Sequence, residues 1–384
     1  MPRVVPPSPL DRRGFSASRP IARVILASRQ VARGILPSLI PMSLILLSLI
    51  PLSSGCRSEN EDAGAAARKL GRWAYLVPES FRAGRLERRL AGYDTLCIGV
   101  YRLDAHGGLY KRPALGTSDR ALLSRLRVGR RLYPLISLRH ARAGARLLRA
   151  PVFRARAVRE LSDLVERTSY DGLHIDFEYL TGRHVHQFAA FLKMLKGLPV
   201  MRGRTLSIAA VPPLAGKPKE SAFHDPAVLA PHIDEIVYMT YDYHLARPGP
   251  VTHLFWARQN IEIALRRISP DRVWLGVPAY GYEWRIDRRT KGPGRTGRTN
   301  NRRHAWSANR RVRKRPRVID EPNARRLCAR HGCVRHGSGM LLLKRPGRIA
   351  FVMDAKMRAD MTALAGRLRL RGTALWRIGF EELE

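Results

Sequence analysis

Tyr170-Asp171-Gly172-Leu173-His174-Ile175-Asp176-Phe177-Glu178-Tyr179 is the stretch that decides the fold. It alternates with the period of two expected of a strand. Leu173, Ile175 and Phe177 fall on one face, and Gly172, His174, Asp176 and Glu178 on the other. In a chain that otherwise reads strand, helix, strand, such a segment fits the wall of a parallel barrel. Its apolar side packs on helices and its polar side points inward. The polar side carries two carboxylates at i and i+2, about 7 Å apart along the strand. Like charges that close, in a desolvated place, raise at least one pKa. A carboxyl that keeps its proton at neutral pH is what a general acid needs. A lone Asp-x-Glu is more often an ordinary solvated strand end, so the pair counts only with what surrounds it.

Seven further strands surround it. Residues 72–77, 95–101 and 132–138 precede it, and 206–211, 235–244, 272–282 and 372–379 follow. Helical spacing places helices near 81–91, 118–127, 152–168, 184–196, 253–267 and 355–370. Asp225-Pro226 opens a short helix, with Asp as cap and Pro in the first turn. The fold class is therefore α/β, a (β/α)8 TIM barrel. Residues 285–352 are too long for a structureless loop and read as a small α+β insertion after strand seven. Active sites of such barrels sit where the strands end. Glu178, Tyr241 with Asp242, Tyr280 and Trp376 all lie at or near strand ends.

The chain has 384 residues, and its 70 Lys and Arg outnumber 31 Asp and Glu, for a net charge of +39. That excess fits three readings: an Arg-rich bias over solvated faces, attraction to an anionic envelope or acidic glycan, or nucleic-acid binding. No zinc-finger spacing or other nucleic-acid motif accompanies it, so no specific nucleic acid is expected. The densest run, 285–317, holds 14 Lys or Arg against one Asp. It reads as a solvated loop or as a clamp on an acidic polymer.

At the N-terminus a leader with Arg12, Arg13, Arg19, Arg23, Arg29 and Arg33 precedes a charge-free apolar run, 35–52, broken by Pro37, Pro41 and Pro51. That is short for a spanning helix and suits a signal peptide ending at 56. Residues 57–70 read as a linker and 71–384 as the barrel. Cys97 lies in an apolar run and reads as a buried thiol. Cys328 and Cys333 are five apart, a spacing open to pairing in an oxidising compartment or, with scattered His, to a weak zinc signal, of which the metal is not favoured. No metal, no cofactor and a monomer are expected.

With these residues in view, the central stretch resembles the Asp-Gly-x-Asp-x-Asp-x-Glu signature of glycoside hydrolase family 18, the chitinase-like family. Asp171, Gly172, Asp176 and Glu178 match it, and His174 stands where the family usually has Asp. The closest branch is the bacterial spore-germination and peptidoglycan-associated one. Met239-Thr240-Tyr241-Asp242 resembles the family's Met-x-Tyr-Asp, and Trp376 its last-strand Trp. Leu52-Ser53-Ser54-Gly55-Cys56 resembles a lipoprotein box, with attachment through Cys56 and a location in the bacterial cell envelope.

The resemblance implies a glycosidase acting on N-acetylated polysaccharide by substrate-assisted retention. Glu178 would protonate the glycosidic oxygen, Asp176 orient the substrate's acetamide, and Tyr241 hold the acetamide oxygen. Asp242, Met239, Tyr280, Trp376 and His174 would line the sugar site. On their shared face a neutral His174 could hydrogen-bond Asp176 and a protonated one would lower its pKa, so His174 is expected to titrate together with the carboxylate pair. The alternative is a glycan-binding member of the fold without catalysis.

Overall fold

The computed structural model describes residues 69–111, 117–286 and 315–383. The leader, the Cys56 box, most of the linker and most of the basic 285–317 run lie outside the described residues.

Among the described residues, fourteen strands form two sheets. The barrel consists of β1 (Gly71–Leu76), β2 (Thr95–Leu103), β4 (Arg131–Leu138), β5 (Gly172–Phe177), β6 (Thr205–Ala210), β7 (Glu235–Tyr238), β8 (Val273–Pro278) and β14 (Gly372–Trp376). Neighbours pair in parallel, and β1 pairs with both β14 and β2, which closes the ring. A short β3 (Leu109–Lys111) folds back antiparallel on β2. Closure leaves no barrel edge unpaired.

The expected two faces of β5 are both buried. Outside, Phe177 stacks on Phe188 and Phe191 of the helix Val185–Lys196, with ring centroids 5.4 and 5.7 Å away. Inside, the barrel is filled by Trp73, Tyr75, Cys97, Tyr133, Leu135, Val237, Trp274 and Ala374. Gly172 has no room for a side chain: a Cβ there would lie 2.0 Å from the Thr205 carbonyl oxygen. Asp171 serves the opposite end of the strand from the carboxylate pair. Its Oδ2 accepts from the Leu132 backbone N–H at 2.7 Å and ties β5 to β4.

Two strands are shorter than the alternation suggested. The sixth barrel strand stops at Tyr238, not His244. Thr240 and Tyr241 N–H groups turn back onto the Tyr238 and Met239 carbonyls, and Asp242 takes a left-handed φ of 58°. The seventh, read as continuous to Tyr282, leaves the barrel at Pro278, which has no N–H to continue the ladder. The chain then enters a second sheet as β9 (Tyr280–Arg285).

That sheet is the insert. It runs in the order β10 (Arg317–Asp320), β9, β13 (Arg348–Val352), β12 (Leu341–Arg345), β11 (Val334–Arg335), antiparallel throughout. The helix Glu321–His331 packs on it over Ile319, Ala324, Leu343, Ala350 and Val352. A disulfide joins Cys328 to Cys333, and Cys97 is a buried free thiol. Elsewhere the helix near 81–91 is only a 3-10 turn, Pro78–Arg82, and a single turn, Leu86–Arg89. The helix Ala141–Arg149 is additional to those expected from the sequence, and it buries Gly144, Leu147 and Leu148 on one face. Asp225 caps its short helix as expected, accepting from Ala227 N–H at 2.9 Å.

Candidate active site

A cleft of about 220 Å³ opens at the C-terminal ends of the barrel strands. Of the residues named from sequence, it is lined by Asp176, Glu178, Met239, Tyr241, Asp242, Tyr280 and Trp376. Tyr75, Arg139 and Tyr282 complete its polar wall.

Asp176, on β5, is 7% exposed, and its Oδ1 has no hydrogen-bond partner among the described residues. Burial and the neighbouring Glu178 charge push its pKa up to about 8, with the Arg139 guanidinium opposing. Such a carboxyl is protonated at neutral pH. Glu178 follows the strand end, fixed by its backbone N–H on the Leu138 carbonyl at 3.0 Å. Burial raises its pKa too, while Arg139 and Lys217 pull it down. Arg139 Nε lies 2.7 Å from Glu178 Oε1. The pair titrates as a unit and holds a shared proton at neutral pH. The cation beside Glu178 favours that proton on Asp176.

The short β7 ends in the turn that carries Tyr241 and Asp242. Thr240 anchors it: its hydroxyl donates to the Gly276 carbonyl at 2.6 Å, and its carbonyl accepts from Thr252 Oγ1 at 2.7 Å. Asp242 accepts from the hydroxyls of Tyr280 at 2.5 Å and Tyr282 at 2.7 Å. Both tyrosines come from β9, so the insert fixes an acid of the barrel's own cleft. Tyr241 packs edge-on to Tyr280 at 6.4 Å, and Trp376 edge-on to Tyr75 at 5.2 Å. Burial holds the Tyr75, Tyr241 and Tyr280 hydroxyls protonated, raising each pKa well above the usual value.

His174 departs from expectation. It is fully buried one layer beneath the cleft and does not line it. Its Nε2 lies 2.8 Å from Tyr75 Oη and its Nδ1 2.8 Å from Ser207 Oγ. Both nitrogens are thus committed, and no bond to Asp176 forms. Ser207 Oγ donates to the Leu173 carbonyl at 3.3 Å, so it accepts from His174 Nδ1–H. That leaves Nε2 to accept from Tyr75. Burial drops the His174 pKa to about 3, so the ring is neutral at any working pH. His174 thus meets the Tyr75 hydroxyl and presents no surface to the cleft.

Sequence reading missed Arg139, Tyr75 and Tyr282. Tyr282 had a signal, since it sits two residues from Tyr280 on one strand face. Arg139 had none beyond following a strand end. Among the described residues no group of His, Cys, Asp and Glu could hold a metal ion.

The family model for glycosyl hydrolases family 18 matches residues 145–338, just over half of the chain. The cortical fragment-lytic enzyme of Bacillus subtilis is 26% identical over 147 residues, 37% of this chain and 34% of that one. The chain spans between 34% and 40% of the length of three Bacillus subtilis relatives it matches. Among solved structures, the Bacillus cereus spore cortex-lytic enzyme SleL aligns with a TM-score of 0.65 at 17% identity, over 82% of this chain and 72% of that one. A chitinase from Chromobacterium violaceum aligns with a TM-score of 0.66 at 20% identity, over 82% and 95%. Those likenesses concern the fold. Together with the matched model, the eight-stranded barrel and a carboxylate pair closing β5, they make the chain a member of glycosyl hydrolase family 18.

Proposed function

We propose that the chain is an envelope-associated glycosidase that cleaves β-1,4-linked N-acetylhexosamine strands, of the chitin or peptidoglycan type, by substrate-assisted retention. The observation that carries this reading is Asp176: a buried carboxyl facing the cleft with one oxygen unpartnered, beside Glu178 and near Tyr241. A buried polar atom left open in a cavity needs a partner, and an acetamide N–H supplies one.

The steps follow from the shared proton. In the free protein Arg139 keeps Glu178 ionised and the proton rests on Asp176. A bound glycosidic oxygen competes with Arg139 for Glu178. The proton then moves to Glu178, which protonates the leaving oxygen. Asp176, now charged, accepts from the acetamide N–H and orients the acetamide oxygen toward the sugar carbon. Tyr241 steadies that oxygen with its hydroxyl, Asp242 holds a sugar hydroxyl, and Trp376 supplies an apolar floor. Water then opens the cyclic intermediate, with Glu178 as base. Met239 and Tyr280 shape the wall.

The Cys328–Cys333 disulfide supports an oxidising compartment. The leader and Cys56 support export with membrane attachment. A second reading, glycan binding without turnover, draws on the Arg139–Glu178 ion pair, which opposes the acid form of Glu178. The two separate by reducing-end release from peptidoglycan and from chitooligosaccharides, wild type against Glu178→Gln. Release by wild type and its loss in the variant support hydrolysis; equal release from both proteins removes it.

A further inference from the structure

A second cleft, about 860 Å³, is lined by Tyr179, the residue that follows Glu178. Its walls are the helix Ala141–Arg149 and the loop after β5. Arg142, Arg146 and Arg149 line it at i, i+4 and i+7, and Arg183 faces them from the loop. No Asp or Glu lines it. Among the described residues none of the four guanidiniums has a carboxylate partner. Like charges one helical turn apart repel and cost stability unless an anion sits between them.

The wall also holds polar groups short of partners. Thr181 Oγ1 is buried without a hydrogen-bond partner among the described residues, and the His184 ring has the Thr181 backbone beside it. His184 is 6% exposed. The floor is apolar, with Phe153 and Leu180. A basic wall over an apolar floor suits a sugar ring bearing an anionic group rather than a bare ion.

The two clefts are linked by one residue pair. The Arg139 guanidinium that holds Glu178 also hydrogen-bonds the Tyr179 side chain. Tyr179 is 44% exposed and held in a left-handed conformation at φ 63°. Backbone strain of this kind clusters at ligand sites.

We propose that this arginine cleft is an extension of the glycan site that takes a carboxylate-bearing substituent of the strand being cut. The inference rests on the glycan reading above and adds the substrate class: acidic N-acetylated strands over neutral ones. Arginine forks bind a carboxylate through two parallel hydrogen bonds, which favours it over a neutral substituent.

The test is binding, using the full chain with Glu178→Gln so that no turnover interferes. Two matched tetrasaccharides serve as probes: an N-acetylglucosamine tetramer, and one in which alternate sugars carry a lactyl-ether carboxylate. Calorimetry is expected to give about tenfold or tighter binding of the acidic probe at low salt, as charge-assisted bonds imply. Adding Arg146→Gln and Arg183→Gln, both at exposed positions, is expected to erase that preference, and added salt to shrink it. Equal affinity for the two probes, or a preference unchanged by the two substitutions, overturns the proposal. Turnover by the wild type is a separate readout. Its absence with the binding preference intact removes the hydrolase reading and leaves this one standing.

Discussion

Arg139 Nε sits 2.7 Å from Glu178 Oε1, with the arginine side chain half exposed and the glutamate nearly covered. The contact is a charge lock on the proposed acid. It lowers the Glu178 pKa against the upward push of burial. Removing the cation therefore raises that pKa.

Arg139→Gln should accordingly move the alkaline limb of the kcat/KM profile to higher pH, because the acid form of the carboxylate pair persists further. A shift of roughly 0.5 to 1 pH unit is expected for loss of one half-exposed charge. Profiles measured from pH 4 to 9 on one substrate check it. An unmoved limb would show that Arg139 does not govern the proton.

Asp176 should cost the fold stability. Its pKa is about 8 in the folded protein, against an ordinary 3.8. Between those values the folded state binds more protons than the unfolded one, so stability falls as pH rises. Asp176→Asn removes that slope. The variant should melt a few degrees above wild type at pH 8, with the gap closing toward pH 4, while losing turnover. Thermal melts across pH read this directly, and a constant gap would contradict the buried-carboxyl account.

His174 contributes in the opposite sense. Its folded pKa of about 3 lies below the ordinary 6.5. The unfolded chain takes up a proton first as pH drops, so the folded state loses stability from about pH 6.5 downward. His174→Asn should flatten that acid-side loss in thermal melts. It should leave both limbs of the kcat/KM profile where they are, because the ring never ionises in the folded protein. A displaced limb would mean His174 titrates with Asp176 after all.

Much of this site was legible because its residues share one strand or end one. The alternation from Leu173 to Glu178 gave both faces of β5 and placed the carboxylates inside. Tyr241, Asp242 and Trp376 were legible for the same reason, as strand ends converge in a barrel. What the strand pattern could not carry was long-range pairing. The partners of His174 are 99 and 33 residues away, so a same-strand neighbour looked like the natural bond. Arg139 had no local mark among 70 Lys and Arg. The crossing of Tyr280 and Tyr282 into the insert was hidden by an apolar run that continues through Pro278.

The central claim is that the substrate's acetamide, steered by Asp176, does the work of an enzyme nucleophile. The most direct measurement compares chitooligosaccharides with their de-N-acetylated counterparts, following cleavage and the first-formed anomer by proton NMR. The account predicts cleavage of the acetylated strand only, with the β anomer appearing first and with loss of turnover in Glu178→Gln. Equal cleavage of the de-N-acetylated strand, or an α anomer first, would contradict it.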